Sequence, residues 1–275
     1  MAGVFIVIES WLLMQSGPAM RGAALSLYLA VFYAALSGGQ FLLNLSDPAG
    51  IAPFGITAAF LALSTIPIAL HKKAPPKNET EPVRLTFKQL VKLSPLGFLG
   101  GIISGMLLAA VYGLLPLYAK GLGMNISEIG AFMAVLIFGG FTLQWPFGRL
   151  ADKGYRRTVL NIACFATAVM AIALALAPPI MWLIFTLAGI FGAFSFTLYP
   201  LSMAYACEKV KENEIVAVTG GFVLSYGIGA IVGPILAPLA MSLFGSAGLF
   251  YFLALITIVQ GSVGLKKPAA SIIEE

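Results

Sequence analysis

Charge is what this chain of 275 residues has least of: Asp, Glu, Lys and Arg make up 10% of it, against 60% hydrophobic residues and a mean hydropathy of +0.97. So few polar side chains cannot coat a water-soluble globule of this length, and lipid must be the solvent. Histidine is almost missing, with His71 standing alone. Only two cysteines are present, Cys164 and Cys207, each within or at the end of a separate apolar run. They give no disulfide framework and no metal-ligand spacing, and both read as packing residues. No Gly-Lys-Ser/Thr phosphate loop occurs, so the chain does not hydrolyse ATP, and no Ser/His/Asp or Cys/His set is available for nucleophilic catalysis. The expectation is a protein that is not an enzyme and carries neither metal nor cofactor.

What the chain does have is apolar runs, at roughly 1–15, 22–45, 51–70, 95–119, 127–147, 158–177, 180–206, 215–243 and 247–264. Each reads as a helix, because backbone groups in lipid must bond internally. The fold class is all-α, a polytopic membrane protein of about nine transmembrane segments. All 16 Lys and Arg residues except Lys120 fall in alternate gaps between these runs. That sorting places the basic gaps and the C-terminus in the cytoplasm. The net charge of +5 follows from this topology, so nucleic acid is not implied as a partner. The first run is shorter than the roughly 20 residues a span requires, and the chain is expected to begin inside a helix, with upstream helices missing.

The longest polar gap, residues 71–94, holds Pro75-Pro76 and a series of basic residues and reads as a cytoplasmic linker. It divides the chain into 1–70, the linker 71–94 and 95–275. Within it, 85–93 has apolar residues at helical spacing, which predicts a short helix lying on the membrane surface.

The gap at 148–157 reads Gly148-Arg149-Leu150-Ala151-Asp152-Lys153-Gly154-Tyr155-Arg156-Arg157. Such a turn carries both charge signs and can brace helix ends; basic topology alone would need no Asp there. It resembles the cytoplasmic signature of the major facilitator superfamily, found after the second and again after the eighth helix. Gly148, Asp152, Arg156 and Arg157 match it, while the second glycine stands one place early, at Gly154, with Tyr155 in its position. Two further stretches extend the resemblance. Glu9-Ser10-Trp11 with Arg21, Tyr28 and Gly39-Gln40 is similar to the fourth and fifth helices of a bacterial branch that carries a Glu-Ser-Trp signature. Tyr199-Pro200-Leu201 through Tyr205, then Tyr226-Gly227 to Gly233-Pro234, is similar to its tenth and eleventh. The resemblance implies helices four to twelve of a twelve-helix bundle, with 1–70 the rest of the N-terminal half, the linker between helices six and seven, and 95–275 the C-terminal half. It also implies that Asp152 belongs to an ion-pair latch that stabilises the outward-facing state.

Glu9 is the one ionisable residue well inside an apolar run, where an acid costs about 2.5–3.5 kcal/mol and must face protein or water. Three readings stand: an acceptor of a coupling proton, a latch onto a cation of a neighbouring cytoplasmic loop, or a structural carboxylate paired with Arg21 or with a residue of the missing upstream region. Other polar side chains within runs serve either a binding site or bonds between helices. Gln40, Tyr112, Gln144, Tyr199 and Tyr205 are the candidates for a substrate cavity, and the resemblance raises Tyr112 and Tyr199, since the family's seventh and tenth helices line its cavity. Gly229 and Gly233, one turn apart, with Pro234 following, predict close helix packing and a kink.

The expected function is secondary active transport of a small organic solute by alternating access, driven by an ion gradient, in the inner membrane. The solute is neutral or amphipathic rather than multiply charged. Its partners are the bilayer, the solute and, as a candidate, a coupling proton. The alternative is a truncated membrane protein that does not transport.

Overall fold

A computed structural model describes residues 2–16, 20–44, 50–70, 86–208 and 210–265. Every regular element within them is helical: α1 (Ala2–Gln15), α2 (Arg21–Gln40) with a 3-10 turn Phe41–Asn44, α3 (Ala52–Leu70), α4 (Phe87–Leu93), α5 (Pro95–Gly121), α6 (Ile126–Leu150), α7 (Arg156–Leu176), α8 (Met181–Ser195), α9 (Leu198–Ala206), α10 (Ile215–Phe244) and α11 (Gly248–Leu265). The first part of the expected linker, 71–85, lies outside the described residues, as do Lys209, Lys266 and Lys267.

Among the described residues, five helical stretches are long and apolar enough to cross a membrane: Ala23–Gln40, Pro95–Gly121, Ile126–Leu176, Met181–Ala206 and Ile215–Leu265. The third and fifth have 51 residues each. A straight helix of that length would measure about 76 Å, more than twice the hydrocarbon thickness, so each must fold back on itself. The first does so at the charged turn 151–155, where Gly154 takes φ 93°, and the other at Gly245–Ala247, where Gly245 takes φ 65°.

Local signals set the helix starts. Asn125 accepts from the Glu128 amide at 2.9 Å while the Glu128 carboxylate accepts from the Asn125 amide at 2.8 Å, a reciprocal cap on α6. Thr86 and Gln89 cap α4 in the same way. The short helix expected over 85–93 is this α4. It lies against the bundle through Leu90, which is buried over Gly221 of α10.

Glycine decides which helices approach closest. A Cβ on Gly229 would strike the Ile102 carbonyl, one on Gly233 the Met106 carbonyl, and one on Gly105 the Tyr226 carbonyl, so α5 and α10 meet backbone to backbone. The stretch expected as one helix over 180–206 is two, α8 and α9, interrupted at Phe196–Thr197. Pro200 is the cause. It has no N–H to give the Phe196 carbonyl four residues back, and the Gln144 side chain of α6 donates to that carbonyl instead, at 3.0 Å. By contrast α3 is exposed on nearly every side from Ala52 to Ile66.

Candidate functional site

Between α1 and α2 on one side and α5, α9 and α10 on the other lies a cavity of about 430 Å³. Its wall consists of Leu29, Phe32, Tyr33, Leu36, Leu108, Tyr112, Val223 and Tyr226, closed by Glu9 and Tyr199. Helical spacing explains the α2 contribution: residues 29, 32, 33 and 36 fall on one stripe. The Tyr199 hydroxyl donates to the Glu9 carboxylate, with oxygens at 2.9 and 3.1 Å, joining α1 to α9 across 190 residues of chain. Glu9 is 1% exposed. Tyr199 packs edge-on against Tyr226 at 5.4 Å and Phe222 at 5.3 Å, and Phe196, at the break, takes the edges of Tyr33 at 4.9 Å and Tyr112 at 6.0 Å. The interruption between α8 and α9 thus places an aromatic ring behind the cavity wall.

At the end of the bundle below Glu9, charged side chains join the same elements. Asp152 accepts from the Ala23 amide at 2.7 Å and pairs with Arg156 at 3.4 Å. Ala23 lies in the first turn of α2, where N–H groups lack helical partners, and a carboxylate there also meets the positive end of the helix dipole. Arg156 reaches the Ala204 carbonyl at 3.5 Å, Arg21 the carbonyls of Leu13 and Cys207 at 3.3 Å each, and Arg157 the Gly264 carbonyl at 2.6 Å. These carbonyls belong to the C-terminal ends of α1, α9 and α11, where a cation is favourable. Together they form a clasp across α1, α2, the charged turn and α9. Gly148 is buried beneath the turn, and Gly154 supplies its left-handed residue.

Of the residues singled out from sequence, Glu9, Tyr112 and Tyr199 meet in the cavity; Asp152, Arg156 and Arg21 meet in the clasp. Gln40, at the C-terminal end of α2, and Tyr205, partly buried on α9, do not line the cavity. Neither does Gln144, which is committed to the broken helix. Arg21 does not pair with Glu9; its guanidinium is taken by carbonyls. Sequence reasoning missed Tyr33, Phe32 and Tyr226 as cavity residues. The available signal was a polar hydroxyl within an apolar run, which Tyr33 and Tyr226 share with Tyr112. Among the described residues no group of three His, Cys, Asp or Glu side chains could hold a metal.

A membrane-embedded helical bundle with a central cavity, clasped at one end, is the form of a solute carrier. The Major Facilitator Superfamily model matches residues 1–220 and 97–267, and the chain belongs to that family. An MFS-type transporter of Yersinia pestis is 33% identical over 270 residues, covering 96% of this chain and 69% of its own length. The MFS-type transporter YcaD of Shigella flexneri is 34% identical over 266 residues, covering 94% of this chain and 67% of its own. Among solved structures, the E. coli fucose:proton symporter FucP superposes with a TM-score of 0.68 at 14% identity, over 95% of this chain and 72% of that one. The fold is therefore the all-helical one of this family, whose members are transporters and not enzymes. The protein is a multi-pass membrane protein, and its partners are the bilayer and a small-molecule substrate.

Proposed function

We propose that the chain is a secondary active transporter that works by alternating access in the inner membrane, with 1–70 and 95–275 as the moving halves and 71–94 as the linker. Helices four to twelve of the family's fold, with the Glu-Ser-Trp segment in the fourth, are the corresponding parts. The clasp and the C-terminus face the cytoplasm, as the basic gaps require. Glu9 is the carboxylate through which an ion gradient, a proton gradient in the simplest case, is coupled. One observation carries this reading: Glu9 and Tyr199 bond across the cavity directly above a clasp made of the same helices. Separating the halves at that end must break both sets of bonds, so occupancy of the cavity and the state of the clasp are linked.

The test needs no knowledge of the cargo. Spin labels at exposed Met20 and Glu208 report the clasp end, and labels at Phe41 and Lys120 the opposite end. In liposomes, alternating access makes one distance lengthen as the other shortens when the pH is changed between about 5.5 and 8. Two distances that stay fixed over that range would overturn the reading.

A second reading, a membrane protein that does not itself transport, is favoured by the exposure of α3, with Phe54 at 73% and Leu63 at 58%. It predicts fixed distances in the same experiment.

A further inference from the structure

Among the described residues the cavity is lined by one carboxylate, that of Glu9, and by no cationic side chain. Among the described residues no Lys, Arg or His lies within ion-pair distance of Glu9. The nearest guanidiniums in the clasp are engaged elsewhere, Arg21 with two carbonyls and Arg156 with Asp152 and Ala204. A carboxylate has about four acceptor positions, and Tyr199 has one proton to give, shared between the two oxygens, so acceptor capacity remains. Around it stand the rings of Tyr33, Tyr112, Tyr199 and Tyr226, with aliphatic side chains between them.

We propose that the cavity binds a lipophilic organic monocation, with Glu9 as its counter-charge and the tyrosine rings as its cage. This rests on the transport reading and names its substrate class. An anion would meet an acid and no cation, and a dication would leave one charge uncompensated in an apolar chamber. A sugar or other polyol would have to bury its hydroxyls against walls that are mostly aromatic and aliphatic, at a penalty for each one left unpaired. A single charge, delocalised or shielded by apolar groups, satisfies the carboxylate and lies against ring faces that attract cations. A volume of about 430 Å³ suits a drug-sized molecule.

Proton and cation then compete for one carboxylate. The titratable groups around Glu9 from the packed elements are the phenols of Tyr28 and Tyr33 on α2, Tyr112 on α5, Tyr199 on α9 and Tyr226 on α10, and the Cys207 thiol at the end of α9, groups whose ordinary pKa values are about 8.5 or higher. Cation binding accordingly weakens as the pH falls, through Glu9 alone.

The test is equilibrium binding of radiolabelled tetraphenylphosphonium to the purified 275-residue chain in detergent, with tetraphenylborate, an anion of the same shape, as competitor. Saturable binding is expected that weakens about tenfold or more in Glu9→Gln, stays within a few-fold in Glu9→Asp, loses its pH dependence in Glu9→Gln, and is not displaced by tetraphenylborate. Size-exclusion profiles and melting temperatures matching the parent establish that both variants are folded; if Glu9→Gln does not fold, the Glu9→Asp variant and the borate competition decide. Equal binding by Glu9→Gln, or equal competition by the borate, would overturn the proposal. Absent binding alongside anticorrelated spin-label distances sinks the substrate class and spares transport; binding with fixed distances does the reverse.

Discussion

Gly229 and Gly227 stand two positions apart on α10, yet their surroundings differ completely. A Cβ at Gly227 meets nothing within 4 Å, whereas one at Gly229 runs into the backbone of Ile102, which cannot yield as a side-chain tip would. Gly229→Ala should therefore cost about 1–3 kcal/mol through overpacking. Gly227→Ala should be neutral or gain up to about 1 kcal/mol from helix propensity. Melting temperatures in detergent check the pair, and equal effects would show that α5 and α10 are not in backbone contact. Tyr199→Phe is the residue-scale test of the bond to Glu9. Loss of a hydrogen bond to a carboxylate should cost about 1.5–3 kcal/mol in the same measurement, and an unchanged melting temperature would show that the bond carries no stability. The Gly-x-x-x-Gly spacing made the close contact legible from sequence, but the partner helix was not, because i and i+4 periodicity names a face and says nothing of what covers it. The Glu9–Tyr199 bond was hidden for the same reason. Each residue stood out alone as polar within an apolar run, and only the fold brings together positions 190 apart.

At the scale of the element, the broken α8–α9 span shows what hydropathy cannot report. Residues 180–206 read as one run because Phe196, Thr197 and Pro200 do not lower its apolar character. The break follows from a missing donor, and Gln144, 1% exposed, replaces that donor from another helix. Gln144→Leu should leave the buried Phe196 carbonyl without a partner and cost about 1–3 kcal/mol. Pro200→Ala restores a backbone N–H at the right position, so in its presence the same change should cost about 1 kcal/mol less, a non-additivity visible in a double-mutant cycle. Strict additivity would mean that Gln144 does not stand in for the proline. The helix ends were legible to within a few residues, since the apolar runs stop where the charged gaps begin. The charged turn was legible in composition, and its one departure from the family signature has a backbone reason: Gly154, one place early, is where φ turns positive.

For the whole molecule, the question is what holds the two sides of the bundle together at one end. Asp152 binds the first turn of α2 and Arg156 at once, and Arg156 continues to the end of α9, so a single carboxylate connects elements on both sides of the cavity. The pair is sheltered, with side chains 10% and 8% exposed, so solvent screens it less than a surface pair. Asp152→Asn keeps an oxygen for the Ala23 amide but removes the charge that holds Arg156, while Asp152→Ala removes both. If the clasp favours the closed end by about 1.4–2.8 kcal/mol, its loss shifts the ratio of closed to open molecules about 10- to 100-fold. The Met20–Glu208 spin-label distance should accordingly gain a longer population in Asp152→Asn and a larger one in Asp152→Ala, with the Phe41–Lys120 distance shortening in step. Raised salt should change the parent little, since the pair is sheltered, and an open population appearing in the parent with salt alone would show that the clasp is an ordinary surface ion pair. A lengthened Met20–Glu208 distance without the matching change at the far end would instead mean that Asp152 only anchors α2 locally, and that the two ends of the cavity are not coupled through it.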